Sequence, residues 1–321
     1  AEEAAATHRL VALAFMDICV RYQLAVVRNP QRLLVPALAA FLDGRGMRHH
    51  NAEVSRRACY LFCRFVKSLR GQIAPRLPEV LAALDGIMRD AADVNRGGYG
   101  GKTGGGLNTG GGTGGAMATA GNDDRLYVFE AFGLLLGIED VPEEQQAQWL
   151  EAATAPLRAQ IESAAARGSF PADAAVAQHA VVALSNIAKG FPIRMATSTR
   201  PRVGDILRAG LESALRCLSV WPRDALTRQR VTAFFQRMVQ GVGSQVFPYV
   251  SPMVEHLRSG GGAMELHECL VLVNQLMSSF RVELAPLVAV ALPPLIRQVA
   301  EALRPFAGVN GCVVGVRMNI G

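Results

Sequence analysis

The sequence lacks any apolar run long enough to cross a bilayer as a helix. Its longest uncharged apolar stretch, LAPLVAVALPPLI at 284–296, is too short for such a helix and contains three prolines. No charged and then apolar leader opens the chain, which begins on Ala1. The six cysteines show no paired spacing, and five of them lie in apolar helical patterns, where a reduced thiol packs as a small hydrophobe. These absences predict a soluble protein of an intracellular, reducing compartment with no membrane insertion, and a chain that is a segment of a longer protein.

Alternation typical of β-strands is almost absent as well, and a helical periodicity takes its place. Between Asn51 and Ile73 the apolar residues fall on one side of a helical wheel, which predicts one amphipathic helix of about six turns. The residues of this apolar stripe are Val54, Ala58, Leu61, Phe62, Phe65, Leu69 and Ile73. Similar stripes predict helices at Arg9–Arg28, Gln31–Leu42, Glu79–Ala92, Arg125–Ile138, Glu143–Ala166, Ala174–Lys189, Val203–Val220, Arg223–Val242, Met264–Phe280 and Pro286–Leu303.

These predicted helices recur as pairs whose starts are about 40 to 50 residues apart once the glycine-rich segment is removed, as in HEAT-type and armadillo-type repeats. The chain is 50% hydrophobic, and a helical hairpin cannot bury its stripe without a neighbour on either side. The sequence therefore predicts an all-α fold, a HEAT-repeat α-solenoid of stacked antiparallel helix pairs with a disordered glycine-rich insertion. The predicted division is helix pairs in 1–94, the insertion in 95–122, further pairs of the same solenoid in 123–305, and an irregular tail in 306–321.

The glycine-rich segment RGGYGGKTGGGLNTGGGTGGAMATAG, Arg96–Gly121, contains Gly-Lys-Thr, as phosphate-binding loops do. Such a loop needs a glycine five positions before the Gly-Lys pair, but that position is Arg96. It also needs a strand before it and a helix after it, whereas a helical pattern precedes this segment and more glycine follows. A flexible insertion that binds no nucleotide is the interpretation we adopt.

Positive charge is concentrated in one window of the chain. The whole sequence carries 33 basic and 27 acidic residues, a net charge of +6. The window Gly44–Arg76 contains eight basic residues and one acidic residue, Glu53, which leaves 25 basic against 26 acidic residues elsewhere. One loop and one predicted helix therefore hold the entire positive excess.

The helical wheel places a basic face opposite the apolar stripe of this helix. Arg56, Tyr60, Arg64 and Lys67 are predicted to project there, toward solvent, and Arg57 and Arg70 at its margins; we expect the tyrosine ring to stack on an exposed base. The candidate site residues for a phosphate backbone are Arg45, Arg48, Arg56, Arg57, Tyr60, Arg64, Lys67 and Arg70. The alternative is a merely solvated face, because arginine outnumbers lysine throughout the chain.

Catalytic and metal-binding patterns are weak. Cys59 and Cys63 lie one helical turn apart after His49-His50, but the usual zinc spacings are missing. His267-Glu268-Cys269 lies within one helical turn, where adjacent side chains point in different directions. The sequence thus predicts no enzyme, no metal and no cofactor.

The segment LVPALAAFLDGRGMRHHNAEVSRRACYLFCRFVKSLRGQI at 34–73 resembles the central region of the exportin-T family, which are importin-β-like receptors. The distinctive part is FLDGRGMRH followed at a fixed interval by RRACYLFCRFVKSL. Four later segments occur in the family's order: DDRLYVFEAFGLLLG, VPEEQQAQWLEAATAPL, FFQRMVQGVGSQVFPYV and LVNQLMSSFRVELAPLVAVALPPLI. The resemblance covers roughly Val20–Pro305, whereas the tail AGVNGCVVGVRMNIG from Ala307 matches nothing expected there.

The resemblance implies a HEAT-repeat solenoid that binds tRNA together with a Ran-type GTPase in its GTP form. It also implies contacts with nuclear pore proteins, shuttling between nucleus and cytoplasm, release of tRNA in the cytoplasm on GTP hydrolysis, and no catalytic role. The family's GTPase-binding repeats are expected to lie outside this segment. The alternative is a HEAT-repeat scaffold that binds only proteins and uses the Gly44–Arg76 face for an acidic partner.

Overall fold

The structure of the chain is a computed structural model that describes residues 8–93, 124–191, 200–259 and 262–304. Within these ranges the chain is helical almost throughout and contains no strand, as the sequence predicted. No helix in the same ranges combines the length and the apolar character needed to cross a membrane. The predicted insertion at 95–122, including Gly-Lys-Thr, and the predicted tail at 306–321 lie outside the described residues.

Helices follow one another along the described residues. They are α1 (Arg9–Arg21), α2 (Gln23–Arg28), α3 (Pro30–Leu42), α4 (Ala52–Ile73), α5 (Leu77–Ala92), α6 (Tyr127–Leu136), α7 (Glu143–Arg167), α8 (Ala172–Gly190), α9 (Pro201–Val220), α10 (Ala225–Gly241), α11 (Phe247–Ser259), α12 (Ala263–Phe280) and α13 (Ala285–Leu303). Short 3₁₀ turns precede α5, α6, α11 and α13.

Two differences from the predicted helices have local causes. The stripe at Arg9–Arg28 is interrupted at Tyr22, which separates α1 from α2. The stripes in the sequence predict no helix at Phe247–Ser259, but the structure forms α11 there although the segment contains Pro248 and Pro252. Pro248 is the second residue of α11, where a backbone N–H has no partner within the helix, so this proline is compatible with a helix start.

The chain divides into two compact units between Gln245 and Val246. In the first unit α4, α6, α8 and α10 pack side by side, each against the next, and α7 packs against α9 in a second row. The hairpins α7–α8 and α9–α10 connect the two rows, which is the stacking of HEAT-type helix pairs that the sequence predicted. In the second unit α11, α12 and α13 pack against one another.

Helices α6 and α8 approach closely at two glycines, Gly133 and Gly190. A Cβ atom added at Gly190 would overlap the backbone of Gly133 and Leu134, and one added at Gly133 would overlap the carbonyl of Ile187. Because the obstacles are backbone atoms, they cannot rotate away as a side chain would. The two helices can reach their observed separation only with glycine at both positions.

We therefore expect Gly190→Ala to destabilise the fold by about 1 to 3 kcal/mol, since the helices must move apart to admit one methyl group. The matched control is Gly71→Ala in α4, where an added Cβ meets nothing within 4 Å. Alanine is the better helix former by about 0.5 to 1 kcal/mol, so this control should be neutral or stabilising. Urea unfolding followed by circular dichroism gives both values, and equal effects for the two variants would contradict the close contact.

Candidate nucleic-acid interface

The loop between α3 and α4 sets where the basic residues of α4 project. At Gly46 a Cβ atom would overlap the backbone of Phe41 and Ala40, so the tight return of the chain requires glycine there. The Asn51 side chain caps α4 by accepting hydrogen bonds from the N–H groups of Glu53 at 3.0 Å and Val54 at 3.3 Å. Ser55 Oγ donates to the carbonyl of Met47 at 2.6 Å, which ties the first turn of α4 to this loop.

The apolar stripe predicted for α4 is buried in full. Each of its members, from Val54 to Ile73, is at most 1% exposed, and the Phe65 and Phe62 rings lie 5.2 and 5.7 Å from the ring of Phe41. Cys59, Cys63 and Val66 are buried too, although they lie beside the stripe. The reason is that α1 and α6 both pack against α4, so its exposed face is narrower than a single stripe implies.

Lys67 is exposed, as the helical wheel predicts, but a carboxylate of another helix engages its ammonium group. Its ammonium group forms an ion pair with the carboxylate of Glu130 at 2.7 Å, and Lys189 of α8 pairs with the other oxygen of the same carboxylate at 2.8 Å. Glu130 is only 1% exposed. Lys67 therefore neutralises a buried charge of α6, and a contact of Lys67 with phosphate stays a prediction.

In the Lys67–Glu130–Lys189 cluster, burial and hydrogen bonds shift the pKa values of Glu130 and Lys67 in opposite directions. Burial raises the pKa of Glu130, but the hydrogen bonds from Lys189 and Lys67 outweigh it and hold that pKa below its usual value. Burial lowers the pKa of Lys67, and its hydrogen bond to Glu130 more than compensates, so the pKa is raised. The Glu130 carboxylate is thus ionised and Lys67 is positive at neutral pH.

Tyr60 lies among side chains of both α4 and α6. The Arg57 guanidinium carbon lies 4.7 Å from the centre of the Tyr60 ring, and that of Arg64 lies 6.0 Å from it. The Tyr127 ring contacts it edge-on with 5.2 Å between ring centres. Tyr60 is half-buried and makes cation–π contacts with the two guanidinium groups, and stacking of its ring on a base stays a prediction.

Two loop candidates are also engaged. The guanidinium of Arg45 is bound to the carboxylate of Asp43, with 2.6 Å from Nη2 to Oδ2, and this hydrogen bond raises the pKa of Arg45. Nη2 of Arg48 donates to the carbonyl of Ala83 in α5 at 2.9 Å, so this side chain leaves the α4 surface. Arg45 is thus paired within its own loop, and Arg48 lies between the start of α4 and α5.

Besides Lys67, the exposed side of α4 carries four arginines, which we call the α4 basic strip. It consists of Arg56, Arg57, Arg64 and Arg70. The one acidic residue of α4, Glu53, pairs with Arg9 at 2.9 Å. The strip therefore presents guanidinium groups on a capped, rigid helix with no competing free carboxylate of its own. Guanidinium forks of this kind suit phosphate oxygens.

The buried thiols do not form a metal site. Burial raises the pKa of Cys63 to about 12, so its thiol keeps its proton at neutral pH, whereas a metal needs the thiolate. On α12, Cys269 is buried while His267 is exposed, so these two side chains point apart. Across residues 8–93, 124–191, 200–259 and 262–304, no group of histidine, cysteine and acidic side chains is arranged to hold a metal ion.

Comparison with known proteins identifies the family of the chain. The family model for Exportin-T matches residues 1–311. Exportin-T of Arabidopsis thaliana is 34% identical over 314 residues, which cover 94% of this chain and 30% of the relative. Exportin-T of Homo sapiens is 26% identical over 303 residues, which cover 92% of this chain and 29% of the relative. The chain thus spans about three-tenths of the length of these curated relatives.

A solved structure titled "Importin13 cytosolic state" resembles the fold with a TM-score of 0.67. Its sequence is 12% identical, and the match covers 95% of this chain and 31% of that chain. At this identity the likeness concerns the fold alone. The match of the family model to residues 1–311, together with the 34% identity to the Arabidopsis protein, shows that the chain belongs to the exportin-T family.

Proposed function

We propose that the full-length protein is a nuclear export receptor for tRNA, and that this chain supplies part of the surface that holds the tRNA. In this proposal the receptor binds tRNA together with a Ran-type GTPase in its GTP form and contacts nuclear pore proteins in transit. It shuttles between nucleus and cytoplasm, releases the tRNA in the cytoplasm on GTP hydrolysis, and catalyses no reaction itself.

The observation that carries the proposal for this chain is the α4 basic strip. Its arginines stand on a helix fixed by an asparagine cap and by packing against α1 and α6. Tyr60 holds two of them, Arg57 and Arg64, in place. A rigid row of guanidinium groups loses little conformational entropy on binding phosphates, and such contacts position a nucleic acid without reading its sequence. This favours a folded RNA as the ligand.

The proposal predicts a salt dependence that individual arginines control. In the full-length protein with its GTP-bound GTPase, log affinity for tRNA should fall linearly with log salt concentration. Arg57→Gln and Arg64→Gln should each flatten that slope by about 0.7 to 0.9, because each removes roughly one phosphate contact and the counterion it releases. Filter binding at four or more salt concentrations measures the slope.

The matched control is Arg32→Gln, which removes the same charge from an exposed position on α3, outside the α4 basic strip. Its slope should equal that of the unaltered protein. A slope unchanged in Arg57→Gln and Arg64→Gln would show that the strip is merely solvated. Equal binding of tRNA and an unrelated duplex of the same charge would contradict the tRNA proposal and favour the protein scaffold.

A further inference from the structure

A second basic surface lies beside the start of α4, in a cleft of about 950 Å³. Its walls come from the loop before α4, the first two turns of α4, the end of α5 and the turn that precedes α6. The charged and imidazole groups of the lining are Arg48, His49, His50, Arg56, Arg89, Asp90 and Arg125. The cleft therefore gathers four arginines and one carboxylate from three separate parts of the sequence.

The cleft is held open by contacts that fix its walls. Arg48 crosses to α5 through its hydrogen bond to Ala83, and Nδ1 of His49 accepts a hydrogen bond from the N–H of Asn51 at 2.9 Å. The His50 ring stacks on His49 with 4.2 Å between ring centres. Gly86 lies on the α5 wall, where the absent side chain leaves room beside Arg48. A rigid, concave, positively charged site of this size falls in the range of ligand pockets, about 300 to 1,000 Å³.

The cleft is continuous with the α4 basic strip, because Arg56 belongs to both. An RNA backbone lying along Arg64 and Arg57 would meet the cleft at the first turn of α4. Arg89 lies on the α5 wall of the cleft. It forms an exposed ion pair with Asp85, one helical turn earlier in the same helix. Exposed pairs of this kind are worth at most about 1 kcal/mol, so a phosphate can replace Asp85 as the partner of this guanidinium.

We propose that this cleft is a phosphodiester-binding pocket, in which Arg89, Arg56 and Arg125 take the backbone of one nucleotide from the same RNA that lies along the α4 basic strip. The proposal rests on the proposed function, since it names a second contact for that RNA. A pocket that encloses a nucleotide imposes a position along the strand, which an open row of arginines cannot do. The cleft would thus set the register of the RNA on the protein.

The test compares two arginines in equivalent settings. Arg89 of α5 pairs with Asp85 and is 74% exposed; Arg21 of α1 pairs with Asp17 at the same spacing and is 73% exposed. In the full-length complex we expect Arg89→Gln to weaken tRNA binding by about three- to tenfold through loss of a phosphate contact, and Arg21→Gln by less than about twofold. Equal affinities for the two variants would overturn the pocket.

An uncharged block tests the cleft independently of net charge. Gly86→Leu places a side chain in the cleft, where an added Cβ meets only Arg48 Nη2 at 3.7 Å. This variant should weaken binding by a similar factor while leaving the melting temperature unchanged or higher, because leucine is a better helix former than glycine. Normal affinity in a folded Gly86→Leu protein would also overturn the proposal.

The arms of the experiment separate this inference from the proposed function. If Arg57→Gln weakens tRNA binding while Arg89→Gln behaves like Arg21→Gln, the receptor proposal stands and the pocket is wrong. If the unaltered complex shows no preference for tRNA, the receptor proposal fails. Fluorescence anisotropy with labelled hexauridylate then decides on the pocket: weaker binding in Arg89→Gln but not in Arg21→Gln supports it, and equal binding overturns it.

Discussion

Replacing Lys67 and Lys189 together by methionine is expected to destabilise the protein by about 3 to 5 kcal/mol at pH 7. The variant leaves the buried carboxylate of Glu130 without either of the ammonium groups that contact it, at 2.7 and 2.8 Å. Single variants should lose less, because one lysine remains to neutralise the charge. Urea unfolding followed by circular dichroism measures the difference.

The contribution of Glu130 to the free energy of unfolding should depend on pH in the opposite direction in the double variant. In the unaltered protein the pKa of Glu130 is lowered, so its stabilising contribution is present above the pKa of the unfolded chain and is lost as the pH falls through the folded value. Without the two lysines only burial acts on the Glu130 carboxyl, and burial raises its pKa. The double variant should therefore recover stability relative to the unaltered protein as the pH is lowered toward about 4, where the carboxyl becomes neutral.

A triple variant that also carries Glu130→Met provides the control. It removes the whole cluster, and replacing a buried ion cluster by apolar side chains is often neutral or even stabilising. We expect it to recover most of the stability that the double variant loses at pH 7. A double variant as stable as the unaltered protein at pH 7 would mean that Glu130 reaches water or another cation.

The second large effect concerns Phe65, whose side chain has no exposed surface and whose ring packs against that of Phe41. Phe65→Ala should cost about 3 to 5 kcal/mol, from lost burial and from the cavity that remains. Phe65→Leu keeps most of the volume and should cost clearly less. Thermal unfolding of both variants measures the two losses of stability.

Phe65→Ala also distinguishes an effect on the stability of the fold from an effect on tRNA binding. Phe65 lies on the buried side of α4, away from the α4 basic strip. At a temperature where Phe65→Ala is folded, its tRNA affinity and salt slope should therefore match those of the unaltered protein. Weakened binding by the folded variant would indicate that the buried side of α4 controls the position of the strip.

The burial of α4 could be predicted from the sequence because helical periodicity is a local property. Val54 and Phe65 lie on one stripe whichever helix packs against them. The environments of Lys67 and Tyr60 could not be predicted, since Glu130 and Tyr127 belong to another helix and nothing in the sequence says which face of α6 meets α4. The predicted face is therefore exposed at the arginines of the strip and at Lys67, whereas the groups of α6 that engage Lys67 and Tyr60 could be found only from the packing.

The cleft and the glycine contact were missed for a similar reason. Arg89 is the one basic residue of α5, which carries three acidic residues, and Arg125 follows the glycine-rich segment, so neither belongs to a local cluster of positive charge. Gly71 and Gly190 look alike as single glycines near the ends of predicted helices. Only the packing of α6 on α8 shows that one of them is required and the other replaceable.

Because α4 packs directly on α6, the order in which these helices pack differs from their order along the chain. The chain runs from α4 through α5 and residues 93–123 before it reaches α6, whereas α4 and α6 touch, and the Glu130 cluster joins both to α8. Besides the chain itself, noncovalent contacts connect the helices that precede the glycine-rich segment to those that follow it. A chain cleaved between Ala92 and Asp124 keeps every one of those contacts, so two separately produced halves have the surfaces they need to reassemble.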